Sequence, residues 1–371
     1  MNDLSLYLHV PFCKGKCRYC DFYSVTCPEK IGLFEKALVR DLLAFSEKAR
    51  DYKVRTVYFG GGTPSLLSPQ GIKEIFSALR KAYRISPDAE ITVEMNPESA
   101  SEEVLSAFYR EGANRISFGM QSARDEELLL LGRLHRYEDV KNAVERARAV
   151  GFDNISLDLM YGLPGQRVED FLESVKKALS LSPKHLSFYL LTLSENVPLY
   201  EKLDQIPDDE ILRKMYFSAI SFLEEKGFCH YEISNAALPG FESRHNQVYW
   251  EGGAYLGFGP GAHSLFENKR FCVSEGLDRY LKADDPLTCY SNPEERTKED
   301  LLEEYIMLSL RQKKGLSFEK LSMLAPTEQI EKIKEKMALW EKHGLTKRTK
   351  DGFALTKEGF FVSNEIISEL I

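Results

Sequence analysis

Short apolar, β-rich runs recur through the first 192 residues, at 5–10, 56–60, 91–96, 115–121, 154–160 and 185–192. Stretches of helical period separate them. Residues 33–49 and 138–150 repeat apolar side chains every three or four positions, as amphipathic helices do. Strand-helix units in series imply a parallel sheet, and most of these strands end on a polar or glycine signature, where barrel active sites sit. The pattern therefore predicts an α/β chain built on a six-stranded partial (β/α)6 barrel of TIM type, covering residues 1–202. From 203 to about 291 the pattern turns irregular and contains a glycine-rich loop at 251–262, as a bridging segment would. Residues 292–371 return to charged helices: one at 328–342, then two short strands around Asp351-Gly352, a strong hairpin signal. That order predicts a C-terminal winged-helix-like helical domain.

Composition narrows the partners. Of 371 residues, 43% are hydrophobic and 29% charged, ordinary for a globular chain. No apolar run reaches the roughly 18 residues a membrane-spanning helix needs, and the N-terminus lacks a basic region followed by an apolar one. The expectation is a cytoplasmic protein that is not integral to a membrane. A net charge of -8 argues against nucleic acid. Residues 327–371 hold eight acidic and eight basic side chains, so the winged-helix-like domain lacks the positive field that draws such a shape to DNA.

Seven cysteines, three of them crowded between Cys13 and Cys20, make a poor disulfide framework. In a reducing compartment they read as metal ligands. Cys13, Cys17 and Cys20 share one short loop after the first strand. Three thiolates on a four-iron cubane leave one iron open to a chelating ligand, whereas four would close it. A structural zinc site is the alternative, but it usually draws on two separated ligand pairs, and no second pair stands at such spacing. Cys27 is near enough to be a fourth ligand, and equally suits a spare surface thiol.

The cysteine spacing resembles the radical S-adenosylmethionine superfamily. The stretches Leu6-Tyr7-Leu8-His9-Val10-Pro11-Phe12 and Gly60-Gly61-Gly62-Thr63-Pro64-Ser65 resemble its oxygen-independent coproporphyrinogen oxidase group. On residue type alone, Gly61 and Gly62 permit close backbone approach to a ligand, Thr63 adds a hydroxyl, and Glu94 can accept from ribose hydroxyls. Arg133 suits a carboxylate and Asp158 a ribose or amino donor, although either also reads as an ordinary structural residue. The resemblance implies S-adenosylmethionine contacts at Tyr7, Tyr19, Gly61, Gly62, Thr63, Glu94, Gln121, Arg133 and Asp158, and a [4Fe-4S] cluster on the three cysteines.

Two features set the chain apart from the coproporphyrinogen dehydrogenases. Those enzymes carry a fourth cysteine where this chain has Phe22, and an N-terminal extension before the position of Tyr7. The shorter form resembles the sister group of haem chaperones, the HemW type. His245-Asn246-Gln247-Val248-Tyr249-Trp250 matches that group's H-N-x-x-Y-W motif, which implies haem contact at His245, Asn246, Tyr249 and Trp250. Histidine can supply an axial imidazole, and the aromatic residues flat apolar faces. The same residues also suit a satisfied, half-buried cluster. His263 is an alternative axial ligand. The leading expectation is a haem chaperone serving acceptor proteins in the cytoplasm or at its membrane face. The alternative is a radical oxidoreductase of the dehydrogenase type, and a DNA-linked regulator acting through the C-terminal domain is the third.

Overall fold

The computed structural model describes residues 2–371. Its first half alternates strand and helix: β1 (Asn2–Val10), α1 (Ile31–Ala44), β2 (Tyr52–Gly61), α2 (Pro69–Ala82), β3 (Arg84–Met95), α3 (Glu102–Glu111), β4 (Arg115–Gln121), α4 (Asp125–Leu130), α5 (Tyr137–Val150), β5 (Asn154–Tyr161), α6 (Val168–Ser180) and β6 (His185–Leu190). The six strands pair in parallel in chain order. This is the six-stranded partial barrel that the sequence predicts. Leu4, Leu6, Leu8 and Val10 of β1 are all buried, and so are Val57 and Phe59 of β2. Helix packing on the outer face makes such strands nearly continuously apolar.

The rest of the chain extends the sheet from both edges. After α7 (Asp209–Glu225), β7 (Cys229–Glu232) and β8 (Asn235–Ala237) add to the β6 edge. Then α8 (Arg244–Trp250) leads into β9 (Tyr255–Phe258), β10 (His263–Phe266), β11 (Lys269–Cys272), α9 (Leu277–Lys282) and β12 (Glu294–Glu295). The result is one 12-stranded sheet in the order β12-β11-β10-β9-β1-β2-β3-β4-β5-β6-β8-β7. The glycine-rich stretch 251–262 is therefore not simply a loop, because β9 inside it pairs in parallel with β1 from Ser5↔Tyr255 to Leu8↔Phe258. Its glycines serve chain crossing: a Cβ on Gly257 would stand 2.2 Å from the His263 carbonyl oxygen.

The C-terminal part runs α10 (Lys298–Leu310), β13 (Leu316–Ser317), α11 (Phe318–Leu324), α12 (Thr327–Lys342), β14 (Thr346–Arg348), β15 (Gly352–Leu355), α13 (Lys357–Phe361) and α14 (Ser363–Ser368). Its three strands pair in the order β13-β15-β14, a helical domain with a small wing. It is seated firmly on the barrel side. Glu358 accepts both guanidinium donors of Arg213 on α7, at 2.6 and 3.1 Å, and Phe360 packs edge-on against His230 on β7.

Candidate cofactor site

A cavity of about 460 Å³ opens at the carboxyl ends of the barrel strands. The loop after β1 supplies Cys13, Cys17 and Cys20 to its lining, all as free thiols. Backbone bonds hold this loop independently of the sulfurs: Cys13 N–H donates to Val25 (3.0 Å) and Val25 N–H to Pro11 (2.7 Å). Two side chains reach the sulfurs. The Thr63 hydroxyl stands 3.6 Å from Cys13 Sγ, and Arg133 Nη1 donates to Cys17 Sγ at 3.5 Å.

Arg133 is the hub of the lower wall. Its Nη2 donates to Asn96 Oδ1 (2.6 Å) and to the Gly119 carbonyl (3.0 Å), and Asn96 donates in turn to Thr63 Oγ1 at 2.9 Å. Arg133 Nε and Arg115 Nε are buried with no hydrogen-bond partner, and both residues line the cavity. Buried guanidinium donors without acceptors suit an anionic group on a ligand. Across the cavity, Glu94 accepts from the Tyr58 hydroxyl at 2.7 Å and from Gly61 N–H at 3.3 Å. Burial pushes its carboxyl up to about 7, against the pull of the Tyr58 hydrogen bond. Asp158 accepts the Ser117 hydroxyl at 3.0 Å, and burial raises its pKa too. Gln121 ends β4 with φ of 63°, a conformation that costs a non-glycine residue energy and turns its side chain at the lining.

Seven of the nine residues expected to surround the adenosyl ligand line this one cavity: Tyr19, Gly61, Gly62, Glu94, Gln121, Arg133 and Asp158. The other two sit behind it. Thr63 is buried between Cys13 and Asn96, while Tyr7 stacks on Tyr58 and shares a 3.0 Å hydrogen bond with His9. Tyr7 and Thr63 thus stand directly behind residues that line the cavity, Tyr58 for the first and Cys13 and Asn96 for the second. Gly62 has its own structural reason, since a Cβ there would meet the Phe12 carbonyl oxygen at 2.6 Å. Sequence reasoning missed Tyr58, Arg115, Ser117 and Ser187 in the lining, and passed over Asn96 as a strand end.

Comparison with known proteins gives the same placement. Residues 7–178 match the model of the radical SAM superfamily, and residues 297–362 match that of the HemN C-terminal domain. The chain is 34% identical to heme chaperone HemW of Bacillus subtilis over 99% of both chains. The chain belongs to the HemW family of the radical SAM superfamily. It is also 38% identical to heme chaperone HemW of Escherichia coli, over 71% of this chain and 70% of that one. Coproporphyrinogen III oxidase (HemN) of Escherichia coli shares the fold, with a TM-score of 0.87, 23% identity, and coverage of 100% of this chain and 90% of that one.

Two positions on which the resemblance to haem chaperones rested then take on definite settings. Phe22 is 69% exposed at the mouth of the cavity, beside Tyr189 and Leu190. His245, the expected axial imidazole, is 0% exposed. Its Nδ1 is 2.7 Å from the Thr56 hydroxyl, its Nε2 is 2.8 Å from the Tyr249 hydroxyl, and its ring stacks on Tyr58 at 4.9 Å. Both ring nitrogens are engaged within the protein. The Glu90 carboxylate accepts the Arg244 and His245 N–H groups (3.0 and 2.9 Å), pinning the start of α8 where a negative charge is favoured. His245 and Tyr249, four apart, take the inward stripe of the helix, while Asn246 reaches the cofactor cavity. His263 is exposed at the start of β10 and does not line that cavity. His245→Ala should therefore cost about 3 kcal/mol of stability in chemical denaturation, since it leaves a cavity and takes a partner from the Tyr249 hydroxyl, while Thr56 keeps its bond to Ser5.

Proposed function

We infer that this chain is a haem chaperone that binds haem and passes it to acceptor proteins, in the cytoplasm or at its membrane face. Its barrel carries a [4Fe-4S] cluster on Cys13, Cys17 and Cys20 with one iron open to S-adenosylmethionine. The observation that carries the reading is the pairing of an intact cofactor cavity with Phe22 at the place of the dehydrogenases' fourth cysteine, in a chain alike over its whole length to proteins named heme chaperones. The likeness to the oxidase supports the fold alone. Among the described residues no helix is long and apolar enough to cross a membrane, which suits a protein that meets a membrane from outside. The neutral tail gives the DNA-linked reading no support.

In this reading Arg133 and Arg115 receive the methionyl carboxylate, Glu94 accepts the ribose hydroxyls, Asp158 takes a neighbouring donor, and Gly61 and Gly62 bring backbone close. The cluster's open iron would supply a Lewis-acidic seat for the amino-carboxylate end. The division into barrel (1–202), bridging segment (203–291) and C-terminal domain (292–371) assigns the cluster and S-adenosylmethionine to the first part, with Asn246 of the second at the cavity wall.

Two measurements test this. An anaerobic haemin titration of the reconstituted protein, followed at the Soret band, should show saturable binding, and its absence would return the oxidoreductase reading to first place. The second concerns pH. Only the ionised Glu94 accepts two ribose hydroxyls, and burial holds its carboxyl near 7, so affinity for S-adenosylmethionine should rise severalfold from about pH 6 to about pH 8. Equilibrium binding by Glu94→Gln should be weak and flat over that range.

A further inference from the structure

A second cavity, of about 890 Å³, lies between the end of α8 and the C-terminal domain. Its volume is within the range of small-molecule sites. Trp250, the last residue of the H-N-x-x-Y-W motif, lines it together with Tyr305 of α10 and Phe318 of α11. Trp250 is fixed in place: its carbonyl accepts from Gln312 Nε2 at 2.8 Å, and His245 anchors the other end of the helix.

The cavity's charge runs against that of the whole chain. Five lysines line it against three carboxylates, in a molecule of net charge -8. Lys314 is neutralised by Glu251 at 2.6 Å. Lys313, Lys320, Lys347 and Lys350 have no carboxylate partner among the described residues, and Lys320 lies over the Tyr305 ring at 5.0 Å. Lys347 and Lys350 come from the wing, so the balanced charge of residues 327–371 conceals a local basic rim. Aromatic side chains among unpaired ammonium groups fit a flat apolar ring bearing carboxylates. No histidine, cysteine or methionine lines the cavity.

We propose that this cavity is the haem seat, with the macrocycle held by Trp250, Tyr305 and Phe318 and the propionates by Lys347 and Lys350 of the wing and Lys313 just after α10. The proposal rests on the haem-chaperone reading and adds where the ligand lies and how it is recognised. Recognition is by ring and carboxylates rather than by an axial side chain, so iron-free protoporphyrin IX binds as haemin does. The arrangement also explains the motif. Its histidine and tyrosine hold the helix, its asparagine meets the cofactor cavity, and its tryptophan meets the porphyrin.

The test uses the cluster-loaded full chain under anaerobic conditions, titrated with haemin, protoporphyrin IX and protoporphyrin IX dimethyl ester. Lys347→Glu/Lys350→Glu changes two exposed side chains and should weaken the two free acids at least tenfold, with cluster absorbance and S-adenosylmethionine binding unchanged. The ester should bind the unaltered protein at least tenfold more weakly than the free acid. The chain has two tryptophans, so Trp340→Phe leaves Trp250 as the sole indole, and its emission should be quenched on saturation. If haemin does not bind the unaltered protein, the chaperone reading itself falls. If haemin binds but the charge reversal leaves affinity unchanged, or protoporphyrin IX fails to compete, the seat is elsewhere and the chaperone reading stands.

Discussion

Cys17→Ala is expected to yield a folded protein whose iron content after anaerobic reconstitution falls to background and whose visible cluster absorbance is lost. The fold survives because the loop is pinned by backbone, through Cys13 N–H to Val25 and Val25 N–H to Pro11, and because Cys17 is only partly buried. The cluster does not survive. Three thiolates are the minimum here for three irons, and two leave a second iron open and the cubane held on one side. Cys17 is also the sulfur that receives the Arg133 hydrogen bond, so its loss removes the contact between cluster ligand and carboxylate-binding arginine. Cys27→Ala is the matching control. Cys27 precedes a short turn at Pro28–Lys30 and does not line the cofactor cavity, so iron loading should be unchanged. Full iron content in Cys17→Ala would overturn the cluster assignment. Loss of iron in Cys27→Ala would make Cys27 a fourth ligand and close the open iron.

The six barrel strands were legible because each combines a β-rich apolar run with a polar or glycine end, and burial on both faces demands the first while the site demands the second. What lay beyond was hidden for local reasons. β3 starts at Arg84, ahead of its apolar run, because Pro87 falls in a register break between Val54 and Thr56 of its neighbour. β9 is four residues with a glycine inside, set among other glycines, and its pairing with the distant β1 on one side and β10 on the other makes it a strand. The three cysteines and seven of the nine residues expected around the adenosyl ligand were marked by their motifs, and they line one cavity. Tyr58 and Asn96 were not, since their importance comes from partners 36 and 37 residues away, Glu94 and Arg133. His245 shows a different limit. The motif marked the residue, but only the fold shows that the i, i+4 pair with Tyr249 faces inward, leaving Asn246 and Trp250 to reach two different cavities.

Arg133→Ala should weaken S-adenosylmethionine binding by at least a hundredfold, about 2.7 kcal/mol, while the protein still loads its cluster. The argument is one of unpaired groups. In the folded chain Arg133 serves three acceptors, Asn96, the Gly119 carbonyl and Cys17 Sγ, and keeps Nε free among the buried atoms. A ligand carboxylate meeting that fork gains a charge-assisted bond in a site screened from water, worth more than the same contact at a surface. Without the guanidinium the carboxylate enters a cavity that also holds Glu94 and Asp158, and meets repulsion with less compensation. Arg115 remains, so some affinity persists. Arg133→Lys separates charge from geometry: it retains the cation but cannot bond Asn96, Gly119 and a carboxylate at once, and should fall between the two. Isothermal titration of the cluster-loaded protein reads both variants. Unchanged affinity in Arg133→Ala would remove the arginine from the ligand site and leave it a brace for Asn96 and Thr63. Loss of the cluster together with binding would show that its bond to Cys17 matters more than its free donor.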